Sequence, residues 1–179
     1  MKLHHIIASS AIASVLLIGC SKDGPQAGKQ AEEAAVQATQ SVKLLGGMMT
    51  VRIPADLSLA MEQGGASVYG DNARSVTLVG GTSPGGDSAS LLDQTVANLK
   101  NMDAAMKVVA KGDVKFGEHP AKTVEVSMKN NGVDVHMVMA LGVIGDKLAS
   151  IQVLGPQSKA DDVRNSAKAI FDSVSINAK

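Results

Sequence analysis

Cysteine, tryptophan and net charge are what this chain has least of. A single cysteine, Cys20, stands in 179 residues, so an intramolecular disulfide and a cluster of thiolate metal ligands are both excluded. Tryptophan is absent, aromatics make up 2% of the chain, and 17 basic residues balance 17 acidic ones. A nucleic-acid surface needs a basic field and aromatic stacking platforms, so the composition argues against that partner. No run beyond the first twenty residues reaches the ~20 apolar residues of a membrane-spanning helix.

The long apolar run that does exist lies at the start. Lys2, His4 and His5 lead into IIASSAIASVLLIG, which is apolar or small throughout and too short to span a bilayer stably. Residues 1–19 therefore read as an export signal. The segment closes on Leu17-Ile18-Gly19-Cys20, an aliphatic residue, a small residue and then the cysteine, in the manner of a bacterial lipobox. In proteins that resemble this, the cysteine takes a diacylglyceryl group on sulfur, the peptide bond before it is cut and the new amino terminus is acylated, which is the expectation for Cys20; an ordinary cleaved signal with a stray cysteine is the alternative. Each buried methylene contributes about 0.8 kcal/mol, so several acyl chains together anchor stably where one would not. The membrane partner is thus expected to be engaged through the lipid on Cys20.

Removal of the first 19 of 179 residues leaves 160, one domain's worth of chain. Residues 20–41, from the lipidated cysteine through a polar, alanine-rich stretch, are expected to form a tether with a span of roughly 25 Å, long enough to let the domain stand clear of the lipid. The folded domain is expected over residues 42–179.

Within it, MMTVRIP reads as a strand ended by Pro54, and ASVYG and SVTLV read as two more, joined by the turn formers of GDNARS. From residue 88 to about 107, Leu92, Val96, Leu99, Met102 and Met106 recur at helical spacing and predict a helix with one apolar face. TVEVSMK, the pair Asn131-Gly132 and VDVHMVM form a strong hairpin signal. That loop sets Met128 against Val135, Val126 against Met137 and Val124 against Met139 on one face, with Lys129 against Asp134 and Ser127 against His136 on the other. For the next turn a three-residue loop of Gly145, Asp146 and Lys147 is expected, because it opposes Leu141 to Ile151 and Met139 to Val153. A second helix is expected to start at an S-x-x-D cap of Ser158 and Asp161, with Val163, Ala167, Ile170, Phe171 and Val174 buried. Antiparallel strands with two amphipathic helices predict an α+β fold, the sheet covered by helices on one face or both.

Several stretches invite a chemical reading. GTSPGGDS has the strand-loop-helix setting and glycine spacing of a nucleotide-binding loop, but Asp87 replaces its lysine and would repel phosphate. The same carboxylate suits a helix N-cap, so no nucleotide is expected. His136, Met137 and Met139 could suit a soft metal, yet strand alternation sets His136 on the face opposite both methionines, leaving His136 an exposed strand residue and the methionines core. His119 precedes Pro120 and is placed in a turn or strand bend. Glu118, Glu125, Asp161 and Asp162 show no catalytic spacing, so no catalytic, cofactor or metal residue is assigned and an enzyme is not expected.

VKLLGGMMTVRIPADLS, SVYGDNARSVTLV, the central helix, LGVIGDKLASIQV and the closing helix of residues 158–176 resemble the DcrB family of bacterial envelope lipoproteins. The resemblance spans residues 42–176, and its most specific piece is the first strand with the IPADL turn. It implies a PsbP-like α/β/α sandwich, an antiparallel sheet flanked by helices. It also implies a part in envelope maintenance and phage sensitivity, with no catalytic motif to transfer and only the lipidated cysteine matched, as Cys20. In enteric-type sorting an aspartate after the cysteine retains a lipoprotein in the inner membrane, so Ser21 predicts the outer membrane, with the domain in the periplasm. The function expected is a non-enzymatic, lipid-anchored module that binds an envelope protein. A periplasmic carrier of a small apolar or lipid-like ligand is the alternative, since the methionines permit an adaptable binding groove.

Overall fold

The computed structural model describes residues 38–177, residue 72 excepted. Cys20, Ser21 and the leader lie outside the described residues.

Strand structure starts ahead of residue 42, with β1 at Thr39–Leu44, where only Val42 and Leu44 are buried and the pattern is too polar to announce a strand. It pairs antiparallel with β2, Met49–Pro54, the strand expected from MMTVRIP. An exposed strand, β3 at Ser58–Gln63, follows without any buried residue and went unanticipated for that reason. β4 at Ala66–Gly70 and β5 at Ser75–Thr82 form the expected hairpin, in which Asp71 Oδ1 accepts the backbone N–H groups of Ala73 and Arg74 at 2.7 and 2.8 Å.

Helix α1, Ser88–Met102, is shorter than expected. Leu91, Leu92 and Val96 are buried in it, whereas Met102 at its last turn is 78% exposed and Met106 is buried from the loop beyond. Strand β6, Lys107–Phe116, was also unanticipated, because a sheet edge with Lys107, Lys111, Lys115 and Asp113 exposed lacks a clear apolar face.

The long hairpin of β7, His119–Asn130, and β8, Val133–Ile144, adopts the expected register at every pair, Val124 with Met139, Val126 with Met137, Met128 with Val135. Asn131 and Gly132 have φ of 49° and 82°, the left-handed conformations of a two-residue hairpin loop. The next turn corrects the expectation. Ile144 pairs with Lys147, so the loop is the two residues Gly145 and Asp146, and Met139 opposes Gln152 while Leu141 opposes Ser150. Matching apolar partners fails as a guide because both faces of β8 and of β9, Lys147–Pro156, are buried: Ile151 and Val153 pack on one face, Leu148 and Leu154 on the other.

Helix α2, Ala160–Asp172, buries the expected Val163, Ala167, Ile170 and Phe171, with Val174 just beyond. Its cap is corrected: Ser158 lies in a 3₁₀ turn, Lys159 stands at the N-cap position, and no side chain caps the helix. The two-residue strand β10, Ser175–Ile176, returns to pair with β2.

Seven strands form one antiparallel sheet in the order β3-β4-β5-β9-β8-β7-β6, and β1-β2-β10 form a second. One face of the large sheet packs Val124, Val126, Met137 and Met139 against α1. The other packs Ala140, Ile151 and Val153 against α2 and the small sheet together. The fold is therefore α+β with a helix on each face of the sheet, but the α2 layer is shared with strands.

Candidate functional site

The loop of residues 81–88 is a helix start. Asp87 Oδ1 accepts the backbone N–H groups of Ala89 and Ser90 at 2.8 and 2.9 Å, as its N-cap reading required. Those bonds, Ser90's foremost, hold the Asp87 carboxyl below the usual carboxylate range.

His136 departs from its expectation. The alternation was right, since its side chain lies opposite Met137 and Met139, but that opposite face is covered by α2 and His136 is 0% exposed. Glu125, its diagonal neighbour on β7, sets Oε1 2.9 Å from His136 Nε2. The ring N–H and this oxygen are not aligned as a hydrogen bond, and Nδ1 has no polar partner among the described residues, so the contact is one of proximity. Arg164 of α2 reaches the same oxygen with Nε at 2.7 Å and Nη2 at 2.6 Å, while its Nη1 meets Asp161. The hydrogen bond to Glu125, ahead of that to Asp161, raises the Arg164 pKa. Folding thus unites Glu125, His136, Arg164 and Asp161, a cluster whose carboxylates are tied to a guanidinium. His119, by contrast, opens β7 opposite Phe116, and Glu118 is exposed in the turn before it.

A concavity of about 490 Å³ lies where the β4–β5 turn, the end of β9 and the start of α2 converge. Its floor includes Val153, Gly155, Pro156 and Val163, and its rim includes Arg74, Lys159 and Asp162. Gly155 lets β9 pack closely on α2 beside it, since a Cβ at this position would lie 2.8 Å from Val163 Cγ2. Arg74 is fixed by Asp56 at 2.5 Å and by Asp71 at 3.4 Å. Asp71 itself is held below its ordinary pKa by the backbone N–H groups of Ala73 and Arg74. Lys159 and Asp162 have no ion pair among the described residues. An apolar floor with a few polar groups at the rim, in a volume of this size, suits a bound ligand or peptide segment. Sequence reasoning missed this groove because its walls come from segments some eighty residues apart. A glycine at the end of an apolar strand was its one local signal.

The architecture is PsbP-like. The solution structure of the cyanobacterial PsbP protein of Synechocystis superposes with a TM-score of 0.62, covering 81% of this chain and 96% of that one at 10% identity. The crystal structure of LpqN, involved in cell envelope biogenesis of Mycobacterium tuberculosis, gives a TM-score of 0.57 over 79% of this chain and 91% of that one at 18% identity. By sequence the chain is similar to the inner membrane lipoprotein DcrB of Shigella flexneri, 22% identical over 168 residues, 89% of this chain and 91% of the relative. The sequence likeness to a DcrB lipoprotein thus spans nearly the full length, and the PsbP-like fold that the resemblance implies is the fold observed. No protein-family model matches the chain.

Proposed function

We propose that this protein is a lipid-anchored component of the bacterial envelope, held by Cys20, that works without catalysis by binding an envelope protein in the groove beside Gly155. The groove is the observation that carries this reading: apolar residues line it beside two charged side chains, Lys159 and Asp162, that form no ion pair with another described residue. The envelope setting draws support from the relative, an inner membrane lipoprotein matched along almost its whole length. A non-enzymatic role is favoured by the Glu125 cluster, whose carboxylate is already occupied by Arg164. The carrier alternative draws less support, since Met49, Met106, Met137 and Met139, which would line an internal ligand site, are packed at 0–5% exposure.

The relative's inner-membrane name stands against the outer-membrane expectation drawn from Ser21. Membrane fractionation of the native protein beside Ser21→Asp decides it. Unchanged inner-membrane recovery in both shows that Ser21 does not direct sorting, while a shift from outer to inner restores the expectation.

In vivo crosslinking followed by purification tests the binding role. The native protein recovers a discrete partner, Cys20→Ala loses membrane association, and Lys159→Glu loses the partner while staying anchored and folded. A partner captured equally by Lys159→Glu and by Gly155→Val overturns the groove as the binding site.

A further inference from the structure

We propose that one end of the molecule, formed by the last turn of α1 and the tip of the β7–β8 hairpin, rests on an anionic lipid surface. The inference builds on the lipid-anchor reading and adds an orientation to it.

Two large apolar side chains project there, Met102 at 78% and Val133 at 61% exposure. They are neighbours through a short bridge: Asp103, next to Met102, accepts the backbone N–H of Lys129 at 2.7 Å, and Lys129 pairs across the hairpin with Asp134, next to Val133. Asp134 is paired with the Lys129 ammonium at 2.9 Å, while Asp103 stays a carboxylate held by the backbone N–H of Lys129, one negative charge at this end. Lys100, in the last turn of α1, and Lys107, opposite Ser127 at the start of β6, are exposed and carry no ion pair among the described residues. Exposed apolar side chains on an end where two unpaired ammonium groups outweigh one free carboxylate match a headgroup layer bearing negative charge.

The path of the chain leads to the same end. Ala38, the first described residue, accepts the N–H of Ala55 at 2.9 Å, and the adjoining Asp56 holds Arg74 at the start of β5. β5 begins opposite Leu154, and Pro156 lies opposite Val135, two residues from the hairpin tip. The polypeptide therefore runs back toward Cys20 from the end that bears Met102 and Val133. The intervening residues 21–37 cover at most about 60 Å when fully extended. A lipid surface at this end gives the exposed Met102 and Val133 an apolar environment beside the free lysines.

The test uses the full lipidated protein in vesicles of phosphatidylethanolamine with phosphatidylglycerol. Cys20 is blocked by its lipid, so a cysteine introduced at Met102, Val133 or Glu118 is the one reactive thiol. Glu118 lies in the β6–β7 turn at the far end of the sheet and serves as the reference. Each is labelled with an environment-sensitive fluorophore and exposed to a quencher carried in the lipid. The labels at Met102→Cys and Val133→Cys are expected to be quenched several times more than that at Glu118→Cys. The difference is expected to shrink in Lys100→Glu/Lys107→Glu or when phosphatidylglycerol is replaced by neutral lipid. Equal quenching at all three positions, with the protein floating on the vesicles, overturns the orientation and leaves the anchor intact. Failure of the native lipidated protein to float, as Cys20→Ala is expected to fail, overturns the anchor reading and the orientation with it.

Discussion

His136 Nε2 sits 2.9 Å from Glu125 Oε1, and two nitrogens of Arg164 meet that same oxygen. One carboxylate oxygen thus joins the inner face of the sheet to helix α2. Removing Arg164 leaves Glu125, whose side chain is only 14% exposed, without its main partner. Arg164→Ala is expected to lower the urea midpoint, because the largely buried Glu125 carboxylate loses its charged donor. An unchanged midpoint would show that water replaces the guanidinium freely.

His136 itself brings two ring nitrogens into the core without an aligned hydrogen bond. Removing a buried polar group that makes no bond costs little. His136→Leu is therefore expected to leave stability unchanged or raised, within about 1 kcal/mol of the native protein once shape is allowed for. A much larger loss in thermal and urea denaturation would mean that the imidazole has a polar partner in solution.

Acid sensitivity follows from Asp71, Asp87 and Asp103, all held below the ordinary value of 3.8 mainly by backbone N–H donors. A carboxyl with a lowered folded pKa binds its proton more weakly when folded. Its contribution is present above the unfolded value and is lost as pH falls through that value toward the lowered one. Stability measured by urea unfolding is expected to be level from pH 7 to 5 and to fall below about pH 4, with a shallower fall in Asp103→Asn. An identical acid limb in that variant would remove Asp103 from the account.

Phe116 is fully buried and lies against Gly142, where an added Cβ would come within 2.7 Å of its ring. Gly142→Ala is expected to cost about 1–3 kcal/mol through overpacking. Phe116→Ala is expected to cost about 3–5 kcal/mol through the cavity it leaves. In the double variant the two losses should not add, because the truncated ring makes room for the new methyl. Strict additivity in calorimetry would mean that the glycine serves another purpose.

Gly145 opens the two-residue β8–β9 loop with φ of 63°. Gly145→Ala is expected to destabilise by about 1 kcal/mol, since a left-handed residue with a Cβ costs that much. An inserted glycine after Asp146, by giving the longer loop first expected from the sequence, should be tolerated only if the register of β9 survives. Amide hydrogen exchange at Ile151 and Val153 reports that directly.

The sheet centre was legible where one signal had one meaning. Asn131-Gly132 between alternating strands determined a full register because its loop chemistry and its apolar pairing agreed. Asp87 was legible as a cap for the same reason, and the buried stripe of α2 followed from spacing alone. Legibility failed where burial came from elsewhere in the chain. Alternation assigned His136 its correct face, but whether that face meets water depends on α2, which is distant in sequence. Leu141 and Met139 misled because β8 and β9 are buried on both faces, so apolar matching no longer distinguishes registers. The edge strands β3 and β6 carry too few buried residues to show a period, and the groove at Gly155 exists only after three segments meet.

The pairing of β5 with β9 has a consequence for how the chain reaches this state. The strands β3 to β5 are joined to their neighbours by short turns, and so are β6 to β9, so each group is a meander that forms from local contacts. Only the seam from Ser75–Leu154 to Thr82–Lys147 unites them, across α1 and the whole second meander. The pairing of Met49 with Ile176 closes a longer loop still, and closing the seam orders far more chain than any turn within a meander. Until it closes, β5 and β9 each present an open edge, which makes the incompletely folded chain most vulnerable to pairing with another copy at the strands that end up in the middle of the sheet.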